Sequence, residues 1–436
     1  MIFYGRTHLP LLNHSCFLER SFSRGRFCLL VSMLQNDIRY MKRALKLAEQ
    51  GAGFVNPNPL AGAVIVKGAR VIGEGYHAFF GGAHAEISAL RACRESPKGS
   101  TVYVNLEPCS HHGKTPPCCE ALIAAGVSRV VSAMEDPNPA VSGEGHRRLR
   151  AAGIEVAVGI LESEARRANE VFIKFITTGR PFVLLKSAAT LDGKTASVTG
   201  SSKWISSDAS RRYAHRLRQR FSAVMVGIGT VLADDPLLTA RANSKERCAN
   251  QGDACHGDAA HLKPLEPNLQ TNFVPAAIPQ PVKIVVDGRM RIPLDAKLLR
   301  PGGKTLIVTA NPADGEKVRK LLELGADVLE FPAKKGEIRL AEVMAELGAR
   351  GIDSVLLEGG GGLNASALKE GIVDKLITFI APKLIGGAGA PTFFGGAGIA
   401  DMGSAIKLRH TKAGRCGEDV VVESEFIDKR SDALPQ

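Results

Sequence analysis

Twice along the chain, short runs of aliphatic and β-branched residues alternate with amphipathic helical segments, and this alternation constrains the fold most. DIRYMKRALKLAEQG places Ile38, Met41, Ala44, Leu45 and Ala48 on one helical stripe, closed by Gly51. AGAVIVKGARVIGEGYH then reads as two strands around a Lys67-Gly68 turn. HAEISALRACRE is helical, TVYVNLEPC a strand, PPCCEALIAAGV a helix opened by prolines, and SRVVSAME a strand. RRLRAAGIEVAVGI adds a helix and a strand, and ESEARRANEVFIKFITTGR reads as one helix running into a boundary at Gly179-Arg180-Pro181. A second alternation runs from PFVLLKSAATLDG to KLITFIAPKLIGG. Such an order predicts two α/β domains with helices packed on sheets.

The 436 residues are 44% hydrophobic and 23% charged, a globular composition. The net charge of +12 is spread as +3 over 1–33, +3 over 34–179 and +6 over 180–436. With no basic tail, nucleic acid and membrane are not expected partners. The densest run, Lys203 to Arg220, sets six basic residues against Asp208 and suits an anionic small substrate. Nine scattered cysteines argue against a disulfide framework and for a reducing compartment. No apolar run approaches the roughly 18 residues of a membrane span, and the expected location is cytoplasmic. Residues 1–33 lack periodicity and end at Met33. They are either a transit-like leader, which would imply an organelle, or sequence upstream of a misassigned start, the reading favoured here. Residues 243–281 read as a surface insertion whose Cys248, Cys255, His256 and His261 match no common ligand spacing.

His84-Ala85-Glu86, followed by Glu107-Pro108-Cys109 and Pro116-Pro117-Cys118, carries the sharpest chemistry. One imidazole and two thiolates suit zinc and leave one tetrahedral position open, as catalytic sites do. Glu86, two residues after the ligand, is placed to carry protons. H-x-E with two later Pro-Cys pairs is the signature of zinc nucleobase deaminases, here with SHHGKTPP separating the cysteines. Cys119 is an alternative to Cys118. The residue directly after Pro-Pro gains from the helix start, so Cys119 is expected to be packed. His111 and His112 read as loop residues, with facing the substrate as the alternative.

PNPLAGAVIV, GEGYH, HAEISALRA, TVYVNLEPCSHHGKTPPC, EDPNPAVSGEG and AGIEV together resemble the deaminase half of the bifunctional riboflavin-biosynthesis deaminase/reductase family. The resemblance implies a cytidine-deaminase-like three-layer domain over 34–179. It implies His84, Cys109 and Cys118 as zinc ligands and Glu86 as proton shuttle, with Asn58, His77 and Lys114 contacting substrate. Asn58 also reads as a turn residue of Pro-Asn-Pro, and Lys114 as a solvated loop lysine. Leu60-Ala61-Gly62-Ala63 departs from the family's usual Val-Gly-Cys, a matter of packing.

No G-x-G-x-x-G follows the first strand of the second half, so a Rossmann dinucleotide site is not supported. Glu358-Gly359-Gly360-Gly361-Gly362-Leu363-Asn364 lies between a strand and a helix, where backbone amides can hold phosphate. LLKSAATLDGKTA, GSSKWISS, TVLADDPLLTAR, VVDG, LLEGGGGLNASAL and IAPKLIGG resemble the reductase half of the same family. A dihydrofolate-reductase-like fold over 180–430 and use of NADPH are thereby implied. On that basis Ala188, Trp204, Thr230, Asp234, Gly288, Gly360, Gly361, Gly362, Leu363, Asn364, Ala365 and Ser366 would contact NADPH. Ser202, Arg218, Leu238, Arg241 and Glu358 would line the ribosyl-phosphate site, with Lys186 close by. Trp204 has a competing reading as a core aromatic.

The family reading implies two steps of riboflavin synthesis, zinc-dependent deamination of a phosphorylated aminopyrimidine and reduction of its ribosyl group by NADPH, in a homo-oligomer. Two rivals stand beside it. One is an RNA deaminase docked by the basic second half, which predicts salt-sensitive RNA binding. In the other, the second half is a silent scaffold.

Overall fold

The computed structural model describes residues 24–111, 117–139, 141–241, 278–311, 313–334 and 337–427. The chain divides into two compact units. Leu60–His77, Ala83–Ala168 and the chain up to Gln50 form the first, and Gly51–Pro59, Ala78–Gly82 and the chain from Asn169 onward form the second.

In the first unit, α1 (Arg24–Ala48) precedes β1 (Gly62–Lys67), β2 (Arg70–Tyr76), α2 (Ala85–Arg91), β3 (Thr101–Val104), α3 (Cys118–Ala124), β4 (Arg129–Ser132), α4 (Glu144–Ala151), β5 (Glu155–Val158) and α5 (Glu162–Ala168). The strands form one sheet in the order β2-β1-β3-β4-β5, with β1 antiparallel to β2 and β3, and β3, β4 and β5 parallel. Three layers result. Ala63, Ile65, Val102, Val104 and Val130 pack with Ala85 and Ala89 of α2, Leu122 of α3 and Leu149 of α4. Tyr103 points the other way and stacks on Tyr40 of α1 at 5.1 Å. Alternate residues of each strand thus serve opposite faces.

Two expectations need correcting here. The segment from Arg24 to Met33, read as lacking periodicity, is the first part of α1. The hairpin turn is Gly68-Ala69, whose φ values of 52° and 62° match the turn that twists with its strands.

The second unit comprises α6 (Glu170–Thr178), β6 (Phe182–Thr190), α7 (Asp208–Arg220), β7 (Ala223–Gly227), α8 (Ile228–Asp234), β8 (Val282–Val286), β9 (Thr305–Ala310), α9 (Gly315–Glu323), β10 (Ala326–Phe331), the short pair β11 (Ala333–Lys334) and β12 (Glu337–Ile338), α10 (Leu340–Ala349), β13 (Ser354–Leu357), α11 (Gly361–Lys369), β14 (Lys375–Ala381), β15 (Leu408–Cys416) and β16 (Asp419–Phe426). Nine strands form a sheet ordered β10-β9-β8-β7-β13-β6-β14-β16-β15. All are parallel as far as β14, and β16 and β15 close it as an antiparallel hairpin. Both faces are buried, which explains the unbroken apolar runs. Leu184, Val224, Val226, Val285, Leu356 and Phe379 pack under α7, α8 and α9, whereas Val183, Leu185, Met225, Ile284, Val355 and Leu357 pack under α10 and α11.

ESEARRANEVFIKFITTGR is not one helix. Asn169, at φ −108° and ψ 19°, interrupts it, and α5 stays with the first unit while α6 goes with the second. Asparagine competes for backbone hydrogen bonds and favours helix ends. α6 is tied to the start of β14 by Glu170–Lys375 at 2.7 Å and Lys174–Asp374 at 2.5 Å.

Candidate active sites

In the first unit, His84 is the extended residue that starts α2, Cys109 follows the end of β3, and Cys118 opens α3 behind Pro117. His84 Nδ1 lies 3.5 Å from Cys109 Sγ and 3.3 Å from Cys118 Sγ, and all three donor atoms lie within 4.8 Å of one another. The Cys118 backbone N–H donates to Cys109 Sγ at 3.3 Å. A hydrogen bond from the Cys118 thiol, ahead of those from His84 and the Cys118 amide, pulls the Cys109 thiol down to about 4, and the same sharing pushes Cys118 up. This donor set, one nitrogen and two sulfurs already converged, fits zinc with a coordination position to spare. Cys119 is fully buried in the apolar layer under the sheet.

Glu86 sits in the first turn of α2, 4% exposed and hydrogen-bonded to Cys118. Burial, with the charge of Cys109 adding to it, pushes its carboxyl up to about 7. His77 follows β2, buried, with its ring edge-on to His84 at 5.4 Å. Burial lowers its pKa, and Nδ1 lies 3.0 Å from the Ala83 carbonyl. Asn58 lies in Gly51–Pro59, which belongs to the second unit, and its N–H donates to Val55 O at 2.8 Å. His111 is exposed. His112 and Lys114 lie outside the described residues, as do residues 1–23 and 242–277 with Cys248, Cys255, His256 and His261.

In the second unit the predicted residues gather at the carboxyl ends of the parallel strands, where open α/β sheets bind ligands. Ala188 is near the end of β6, Thr230 follows β7 in α8, Gly288 follows β8, and Glu358 to Ser366 follow β13. Gly360 N–H donates to Thr230 Oγ1 at 2.9 Å, and Ser202 Oγ donates to Asp234 Oδ1 at 3.0 Å. Arg218 of α7 grips Glu358 with two hydrogen bonds, and partly buried Lys186 feels the charges of both.

The glycine turn has steric grounds. A Cβ on Gly361 would lie 2.8 Å from Thr392 O, so the 392–395 segment can approach only a glycine. Asn364 is buried, with Nδ2 donating to Phe393 O at 2.7 Å and Oδ1 unpartnered among the described residues. That orphan acceptor and the Gly360–Ser366 helix start fit a dinucleotide bearing amide and phosphate groups. Gly362 and Ser366 are exposed, Leu363 and Ala365 half-buried.

Trp204 is 64% exposed, and Arg211 stacks on it at 4.4 Å. It is not a core aromatic. Arg241 is exposed, whereas Leu238 is buried in the core with φ 53°.

Sequence reasoning passed over His215 and Lys383. His215 lies three residues before Arg218 on the same face of α7, with Nδ1 3.1 Å from the Thr239 carbonyl that Arg218 also reaches. Lys383 donates to the carbonyls of Trp204 and Ile205 at 2.8 and 2.9 Å and fixes the tryptophan loop. Spacing on α7 could have flagged the first. Nothing local signals the second. Among the described residues no helix is long and apolar enough to cross a membrane.

Comparison with known proteins agrees with this geometry. The profile of the cytidine and deoxycytidylate deaminase zinc-binding region matches residues 34–134, and that of the RibD C-terminal domain matches 181–422. Riboflavin biosynthesis protein RibD of Actinobacillus pleuropneumoniae is 42% identical over 392 residues, 90% of this chain and 96% of the relative. RibD of Acinetobacter baumannii, form 1, superposes with a TM-score of 0.77 at 35% identity, covering 91% of this chain and all of that one. A diaminohydroxyphosphoribosylaminopyrimidine deaminase/5-amino-6-(5-phosphoribosylamino)uracil reductase from Thermotoga maritima does so with a TM-score of 0.72 at 33% identity, covering 91% and 100%. An N-terminal cytidine-deaminase-like domain and a C-terminal dihydrofolate-reductase-like domain follow, and the chain belongs to the RibD family of riboflavin biosynthesis proteins.

Proposed function

We propose that this chain performs two consecutive reactions of riboflavin biosynthesis. It deaminates 2,5-diamino-6-(5-phosphoribosylamino)pyrimidin-4-one to the uracil hydrolytically, then reduces the ribosyl group to ribityl with NADPH. The observation that carries the reading is the convergence of His84, Cys109 and Cys118 with buried Glu86 against them, in a chain that also carries the reductase domain. The deaminase part is assigned to 34–179 and the reductase part to 180–430.

In the first reaction water adds to C2 of the pyrimidine, the C2–N bond breaks and ammonia leaves. Glu86 takes the proton of the water and returns it to the departing amine. His84, Cys109 and Cys118 would hold zinc, which would supply Lewis acidity toward water. His77, Asn58 and Lys114 are assigned to substrate contact.

In the second reaction C1′ gains a hydride, which bound NADPH would supply, the C1′–O4′ bond of the ribosyl ring opens and O4′ takes up a proton. Trp204, Ala188, Thr230, Asp234, Gly288 and the Gly360–Ser366 turn bind NADPH. Lys186, Arg218, Glu358, Ser202, Arg241 and the backbone at Leu238 orient the ribosyl phosphate. Part of the Lys203–Arg220 charge serves these phosphates. The protein works in the cytoplasm as a homo-oligomer.

A coupled assay following ammonia and NADPH on the diaminopyrimidine tests the whole reading. Ammonia without NADPH oxidation would leave the second half a scaffold, and neither signal would refute both assignments.

A further inference from the structure

Glu107 is a buried carboxylate that neither reaction uses, 3% exposed, and among the described residues no lysine or arginine is paired to it. Its hydrogen bonds among the described residues go to backbone. Oε2 accepts from the N–H of Asp136 at 3.0 Å and of Gly143 at 2.9 Å, and Oε1 accepts from Gly145 at 2.8 Å and His146 at 3.3 Å. Gly143, Gly145 and His146 are the cap and first turn of α4, and the cap residue has no side chain to satisfy these donors. Glu107 therefore caps α4 from another segment, and a carboxylate there also meets the positive end of the helix.

A second contact reinforces this bond. A Cβ on Gly145 would lie 2.0 Å from the carbonyl oxygen of Pro108, so α4 and the residue before Cys109 approach as closely as backbone allows. Asp136, held by the same carboxylate, lies within electrostatic reach of Cys109 and His111. The Glu107-Pro108-Cys109 segment is thus locked to the start of α4 and to Asp136 beside the cysteine.

We propose that Glu107 is a positioning residue of the deaminase, which fixes Cys109 and the adjoining Asp136 by serving as the N-terminal cap of α4. The proposal rests on the reading of Cys109 as a zinc ligand. Cys109→Ser tests that reading separately, because full zinc retention there would dismiss the ligand assignment whatever Glu107 does.

The direct test compares Glu107→Gln and Gly145→Ala with the parent holoenzyme. The first replaces one accepting carboxylate oxygen by an NH2 group that donates and cannot accept, and the second drives a methyl group to 2.0 Å from the Pro108 carbonyl oxygen and 3.1 Å from Glu107 Oε1 without changing the carboxylate itself. Zinc release to a chromogenic chelator should be faster in both, by roughly 10- to 100-fold, the range for groups that orient metal ligands. The visible spectrum of the cobalt-substituted protein should change, and reduction of supplied uracil intermediate should not. A merely stabilising role would leave the cobalt spectrum of folded protein unaltered. Unchanged zinc release and an unchanged spectrum in both variants overturn the proposal. If Glu107→Gln is insoluble, Gly145→Ala alone decides by the same two measurements.

Discussion

Arg218 Nε and Nη2 donate to the two oxygens of Glu358 at 2.6 and 2.8 Å, a bidentate pair joining the last turn of α7 to the end of β13 across 140 residues. Their side chains are 17% and 10% exposed. Arg218→Ala would leave a buried carboxylate uncompensated, at a cost of about 3–5 kcal/mol. Lysine keeps the charge but not the fork. Both variants are expected to lose NADPH oxidation with the uracil substrate while ammonia release persists, and parallel loss of both activities would contradict the assignment.

The same pair sets an acid limit. Burial alone would raise the Glu358 carboxyl, but the charge and hydrogen bonds of Arg218, with Lys186 behind them, hold it at about 2 instead of 4.5. A depressed folded pKa contributes stability above the unfolded value and loses it as pH falls toward the folded one. Melting temperature should therefore fall between pH 4.5 and 2 more steeply in the parent than in Glu358→Gln. Identical slopes would mean that other groups govern acid unfolding.

Glu86→Gln keeps the shape of the buried side chain and removes its proton-carrying capacity. Ammonia release should drop by about 10²- to 10⁴-fold, the usual contribution of a positioned acid–base group. Zinc content and reduction of supplied uracil intermediate should not change. Appreciable residual deamination would dismiss Glu86 as the shuttle.

Trp204 is the only tryptophan and is 64% exposed, so intrinsic emission reports on its surroundings alone. NADPH is expected to quench it saturably, and Trp204→Ala to raise the KM for NADPH with little effect on deamination. An emission spectrum indifferent to NADPH would remove Trp204 from the cofactor site.

Some of this was legible from local pattern. His84 and Glu86 stand two apart at a helix start, and Cys118 follows Pro-Pro where α3 opens. The apolar runs of β6, β7, β8 and β13 announce a sheet buried on both faces. Helix limits were less legible. The helix read across 162–178 breaks at Asn169, and its two parts go to different units, because tertiary packing, more than propensity, sets where a helix ends. The β15–β16 hairpin went unread, since an exposed edge strand carries little alternation.

What the sequence by itself determined is the order of strands and helices and the chemical character of each site, because apolar period, capping residues and ligand type are local. Only the tertiary structure decided that Glu107 caps α4, that Arg218 pairs with Glu358, and that Gly51–Pro59 belongs with the second unit. Buried polar groups must find partners, and those partners lie 38 and 140 residues away in the first two cases. Such pairings come into being only when the chain has packed.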